Sequence, residues 1–263
     1  MSPTPPALSG PSPSPSGAAT SGATVPTPGP IVPNANARLR VANVFVLNGQ
    51  PRPVDVFAGF EAVPGQAPLV TVPFGGVSGY VGVNAEDGAV LVPQGQRSPD
   101  NPINVSVTPS DGEQDTFVIA GNLTVGQTAV RAIAIRETVP GEQGDPFPTG
   151  SPGEAVVQVF AGAVMGLTAD ADAATFYYGT PDGACLTGLD GTRGVAFGGD
   201  ASMAFVAPAP SFQLVAWSDA CGGTVVAGPV AIDASGGQVL VVPYGTGLTA
   251  LTMLAIPIPR VVN

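Results

Sequence analysis

The sequence predicts an all-β protein: two tandem immunoglobulin-like β-sandwich domains behind a disordered Pro/Ser/Thr-rich N-terminal tail. Three observations carry that prediction. Glycine and proline make up 66 of 263 residues, about twice ordinary usage, while charged residues are only 10%. Lysine is absent, all eight basic residues being Arg, and no window holds apolar residues at helical spacing over three turns. Finally, a unit recurs at a nearly constant step. Phe74-Gly75-Gly76 returns as Phe197-Gly198-Gly199, 123 residues later, and Val130 to Ile135 is echoed by Leu251 to Ile256, 121 residues later.

Residues 1–36 contain ten prolines and no charged side chain. Such a segment buries too little apolar surface to offset an ordering entropy of roughly 1–2 kcal/mol per residue, so disorder is expected. At about 3.1 Å per residue in polyproline II it would serve as a stalk or tether, the alternative being a leader remnant. Residues 37–139 form the first expected domain, opening on Ala37-Arg38-Leu39-Arg40-Val41, where apolar and basic residues alternate as in a half-buried strand. Further strands are expected near 54–60, 68–73, 77–83, 89–92, 103–108, 115–120 and 129–137, separated by turn signals such as Glu86-Asp87-Gly88. Residues 140–153 lose all periodicity and read as a linker. The second domain, a diverged copy over 154–263, offers strands near 155–165, 174–178, 194–197, 201–207, 211–217, 224–232, 237–243 and 249–258.

The first half resembles the bacterial domain-of-unknown-function family numbered 4397. The matching residues are Ala37 to Val41, Val54-Asp55-Val56-Phe57, and Pro73-Phe74-Gly75-Gly76-Val77-Ser78-Gly79-Tyr80. The resemblance implies a β-sandwich, often in tandem, in exported or envelope-associated proteins, with no assigned reaction and no catalytic residues to carry over. Two departures stand out: Asn43-Val44 occupies a place where members often carry histidine, and Met203 stands where the first half has Tyr80.

Composition narrows the chemistry. Net charge is −11, with no basic cluster, which disfavours nucleic acid as a partner. No apolar run reaches the roughly 18 residues of a membrane-spanning helix. Histidine is absent, which removes Ser-His-Asp and Cys-His arrangements and the commonest zinc ligand. No phosphate-cradling glycine motif opens a helix, so no cofactor is expected. Most acids sit beside Gly, Pro, Asn or Ser in turn sequence; Asp55, inside Val-Asp-Val-Phe, is the exception. It reads as an outward carboxylate that bonds a neighbouring loop or pairs with Arg38 or Arg40, rather than as a catalytic group.

The acids Asp170, Asp172, Asp182 and Asp190 crowd loop sequence and form a weak calcium candidate without EF-hand spacing. In Phe176-Tyr177-Tyr178 alternation sends one tyrosine away from Phe176, so Tyr177, Tyr178 and Trp217 are candidate ligand contacts, weighed against a simple core role. Cys185 and Cys221, the only cysteines, are expected to form a disulfide near one end of the second sandwich. Closing 36 residues would contribute roughly 3–4 kcal/mol in the loop-closure model. The competing reading is two buried free thiols in a cytosolic protein.

These readings converge on a non-enzymatic exported protein, extracellular or in the bacterial cell envelope, that binds or spaces a cell-surface polymer, a carbohydrate or another envelope protein. Two alternatives stand beside it: a structural subunit assembling through strand edges, with the uncharged 249–258 as candidate edge, and a carbohydrate-active enzyme using paired carboxylates.

Overall fold

The computed structural model describes residues 32, 34–47, 50–63, 65–94, 105–109, 111–123, 131–137, 154–160, 175–196, 202–245 and 251–259. The expected tail up to residue 31 and the whole 140–153 linker lie outside them. In chain order the strands of the first half are β1 (Ala37–Leu47), β2 (Gln50–Pro51), β3 (Val54–Ala58), β4 (Val70–Val72), β5 (Gly76–Val77), β6 (Val81–Val83), β7 (Ala89–Pro93), β8 (Val105–Val107), β9 (Gln114–Leu123) and β10 (Arg131–Glu137). Those of the second are β11 (Val156–Phe160), β12 (Thr175–Gly179), β13 (Gly194–Ala196), β14 (Ser202–Val206), β15 (Ser211–Ser218), β16 (Val225–Asp233), β17 (Gly237–Tyr244) and β18 (Thr252–Pro259). The all-β expectation holds.

The halves repeat one topology. In the first, β10-β9-β1 form a sheet whose far edge is lined by the short β2, β5 and β6, and β4-β3-β7-β8 form a second sheet. In the second, the orders are β14-β11-β17-β18 and β13-β12-β15-β16. Matching β1 to β11, β3 to β12, β4 to β13, β6 to β14, β7 to β15, β8 to β16, β9 to β17 and β10 to β18 superposes both sheet orders. Each half also carries the same parallel pairing, β1 with β9 and β11 with β17. The 121-to-123-residue sequence step is therefore a repeat of strand order, although Phe197-Gly198-Gly199 itself lies outside the described residues. The first two matched strands, β1 and β3, sit in different sheets, whereas the first two strands of a constant-type immunoglobulin domain share one.

Alternation then determines the layers. On β1, Leu39, Val41 and Phe45 pack with Val54, Val56, Val72 and Leu91 of the β3 sheet. On β11 and β17, Val157, Val159, Val239 and Val241 pack with Phe176, Tyr178, Leu214 and Ala216 of the β12 sheet. The intervening residues point the other way and meet each other. Ala42, Val44, Val118 and Ala120 of the first half pack against Val156, Phe160, Leu240, Val242, Ile256 and Ile258 of the second. The four sheets thus stack with three apolar layers between them, and the middle layer joins the halves. Strands buried on both faces lose the apolar–polar alternation and read as continuous apolar runs, as Val239-Leu240-Val241-Val242 does.

Both ends of the middle layer are pinned. At one, Arg40, only 4% exposed, donates from Nε to Thr116 Oγ1 at 2.8 Å and from Nη2 to the Pro257 carbonyl at 2.7 Å. Its guanidinium lies over the Tyr80 ring, 4.9 Å from the centroid. At the other, Phe74 meets Tyr244 edge to face at 5.2 Å. Gly75 has φ +70°, and a Cβ there would sit 2.5 Å from the Tyr244 hydroxyl, so the turn needs glycine twice over.

Candidate functional site

Tyr177, Tyr178, Trp217, Cys185 and Cys221 lie together at one end of the β12 sheet, and the strands decide what each does. Phe176 and Tyr178 point into the core, which leaves Tyr177 on the outer face. Register places Gly194, Tyr177, Trp217 and Val225 in one row across β13, β12, β15 and β16. Along that row exposure differs sharply. Trp217 is 3% exposed, Tyr177 half-buried and Val225 52% exposed. Of the three candidate aromatics, Tyr177 alone therefore presents surface. Tyr178 is fully buried, and among the described residues no hydrogen-bond partner reaches its hydroxyl. Burial pushes that phenol well above its ordinary pKa.

The disulfide sits beside this row. Cys185 and Cys221 are bonded, with Cα atoms 5.4 Å apart, inside the usual range for a bridge. Cys185 closes a hairpin that extends β12: it bridges Gly179, while Thr180 N–H donates to the Ala184 carbonyl at 3.0 Å and Leu186 N–H to the Tyr178 carbonyl at 2.9 Å. Cys221 lies in the β15–β16 turn. The hairpin curls so tightly over the outer face that a Cβ on Gly179 would overlap the Ala184 carbonyl oxygen and come within 2.6 Å of Trp217 Cζ3.

Asp182 and Asp190 serve their own turns. Asp182 accepts from the Thr180 hydroxyl and, at 3.4 Å, from Ala184 N–H. Asp190 accepts from the Thr192 hydroxyl at 2.7 Å and from Thr192 N–H at 2.9 Å. The hydroxyl contact is in each case the larger cause holding the carboxyl below its ordinary pKa. Among the described residues no group of three or more metal-ligating side chains occurs, and Asp170 and Asp172 lie outside them. Asp55 faces outward with Phe57, opposite Val54 and Val56, and accepts from the Thr71 hydroxyl on β4.

Sequence reasoning missed the matching device in the first half. There the β3–β4 loop folds over the outer face of its own sheet, burying Ala62 against Phe57, Val90 and Val92. Gln66 holds it, its side-chain nitrogen donating to the Ala58 carbonyl at 3.1 Å and its oxygen accepting from Val63 N–H at 3.3 Å. Phe60 and Val63 on this loop are 48% and 57% exposed. A cleft of about 230 Å³ runs beside it, lined by Val32, Ala58, Gly59, Phe60, Asn84, Asp87 and Gly88. Its one carboxylate, Asp87, accepts from Asn84 Nδ2 at 3.0 Å. The cleft offers a largely apolar contact surface, and its described lining residues hold no nucleophile–base pair.

No protein-family model matches this chain, and no curated protein matches it significantly.

Proposed function

We propose that this chain is a non-enzymatic binding and spacer protein of the bacterial cell envelope or exterior. Its residues 37–139 and 154–263 would act as two tandem immunoglobulin-like modules of the kind that the resemblance to family 4397 implies. The Pro-rich residues 1–36 would be the tether. The observation that carries the reading is the Cys185–Cys221 bond, which commits both cysteines of the chain. Such bonds persist in oxidising compartments and are rare in reducing ones. The middle apolar layer supports the spacer role, because it couples the halves into one stiff body. Tyr177 and Val225 on one outer sheet, and Phe60 and Val63 on the other, are the contact residues in this reading, with a surface carbohydrate or envelope protein as partner.

The test is fractionation of the producing bacterium after alkylation of all free thiols in intact cells. The expected result is full-length chain in the envelope or medium fraction with neither cysteine alkylated. A chain confined to the cytoplasm with both thiols alkylated overturns the proposal.

A further inference from the structure

We infer that the Cys185–Cys221 bond is a redox-sensitive clasp that holds the 180–185 hairpin over the outer face of the β12 sheet and thereby keeps Trp217 out of solvent. Three observations lead there. First, Val215 and Trp217 are each 3% exposed although their strand alternation turns them away from the core that receives Leu214 and Ala216. Something on the outer face covers them, and the hairpin stem at Gly179 lies directly against the indole edge.

Second, apart from the disulfide the hairpin is held by local hydrogen bonds. Pro181, Asp182 and Ala184 are exposed. Thr180 N–H donates to the Ala184 carbonyl, Gly183 N–H to the Thr180 carbonyl and Leu186 N–H to the Tyr178 carbonyl, and Asp182 accepts from the Thr180 hydroxyl and Ala184 N–H. The matching loop of the first half carries its own anchors, the buried Ala62 and both ends of the Gln66 amide. Where the first half adds packing and an amide, the second adds a covalent bond to its local hydrogen bonds. Third, the bond is within reach of a reductant. Cys185 and Cys221 are both partly exposed, and the Cys221 turn, 219–224, has no buried residue.

The chemistry is thiol–disulfide exchange with a dithiol. One thiolate attacks a cysteine sulfur, the S–S bond breaks, and the second thiol closes the mixed disulfide. The protein gains two electrons and two protons as Cys185 and Cys221 thiols, and the dithiol leaves oxidised. Release of the hairpin then uncovers the Tyr177–Trp217–Val225 row as a continuous apolar strip.

Trp217 is the only tryptophan, so its emission reports this site alone. The full chain is compared before and after treatment with dithiothreitol, and as the Cys185→Ser/Cys221→Ser double variant, with thiols counted and far-ultraviolet circular dichroism recorded on the same samples. The expected result is two thiols per chain, an unchanged sheet spectrum, a red-shifted emission and a several-fold larger acrylamide quenching constant, all shared by the double variant. Two titrated thiols with unchanged emission and quenching overturn the clasp. So does loss of the sheet spectrum on reduction, because the bond would then hold the whole fold. Either failure leaves the envelope reading standing, since that reading requires only that the bond exists in the native host.

Discussion

At the scale of single residues, Tyr178 and Gly179 are adjacent and show opposite economies of space. Tyr178 places a hydroxyl in an apolar core with no partner among the described residues, and an unpaired buried polar group costs about 1–3 kcal/mol. Tyr178→Phe is therefore expected to leave stability unchanged or raise it by about 1 kcal/mol, read from urea midpoints at constant m-value. The pH dependence has a definite sign. The folded state disfavours the phenolate, so it binds more protons than the unfolded chain above the unfolded pKa near 10, and stability falls as pH rises past that value. Removing the hydroxyl should flatten that alkaline loss, and an equally steep loss in the variant would show that Tyr178 is not its source. Gly179→Ala should act the other way. A methyl group there overlaps the Ala184 carbonyl and the indole edge, and overpacking of this kind costs about 1–3 kcal/mol. The repeat makes the point sharper: the first half fills its outer face with Phe57 from β3 over Val90 and Val92 of β7, whereas the second has Gly179 on β12 and the bulk of Trp217 on β15. The large side chain has moved to the neighbouring strand.

Elements show where a sequence is readable and where it is not. Strands with one buried face announce themselves by alternation, as Val54-Asp55-Val56-Phe57 does, with Asp55 outward as the pattern requires. β1 was legible only as far as Val41, because Asn43 in the next stretch looks like a break. The structure runs the strand on to Leu47 and buries Asn43 completely. Its amide nitrogen donates to the Arg52 and Val72 carbonyls at 2.8 and 3.0 Å, and its oxygen accepts from Phe45 N–H at 3.0 Å. Two of the three partners, the Arg52 and Val72 carbonyls, lie outside β1, 9 and 29 residues away, so the alternation within β1 does not signal them. The expected strand 77–83 is likewise split into β5 and β6, with Ser78 Oγ accepting from Val41 N–H at 2.8 Å at the break. β18 bears on the strand-edge reading of 249–258. Leu251 N–H donates to the Val226 carbonyl and the Pro257 carbonyl accepts from Arg40, so the odd-numbered residues turn their backbone groups away from β17. On that outer edge Pro257 and Pro259 have no N–H to offer, which blunts it against strand addition. Arg40→Met is expected to cost about 2–4 kcal/mol, since it removes buried charge-assisted hydrogen bonds to the Thr116 hydroxyl and the Pro257 carbonyl. A midpoint within error of wild type would show that Arg40 does not pin the layer.

For the whole molecule, the middle layer matters most, and it was the feature least visible in the sequence. Composition and spacing pointed to two copies, and the loss of pattern over 140–153 suggested that they are independent. What that reading lacked was the destination of the second faces of β1, β9, β11 and β17, whose continuous apolar runs fit a double-sided burial as well as a short core strand. Ten buried residues meet there, eight of them larger than alanine. At about 1.5–3 kcal/mol per fully buried side chain the layer contributes on the order of 10 kcal/mol, comparable with the 5–15 kcal/mol stability of an entire domain. Equivalent sheets of the two copies face each other, so the apolar face that each copy would otherwise expose is covered by the other. Unfolding should therefore be coupled across the halves. Val44→Asp places a charge in the middle layer from the first half, 1% exposed, at a cost of about 2 kcal/mol or more. Because Trp217 lies in the second half, its fluorescence tests the coupling directly. The expected outcome is a single transition in the wild-type chain, by fluorescence and by circular dichroism alike, and in the variant a Trp217 midpoint lowered together with the circular-dichroism midpoint. If Trp217 instead melts at its wild-type position while the circular dichroism splits into two steps, the halves are independent modules and the middle layer contributes little to holding either one folded.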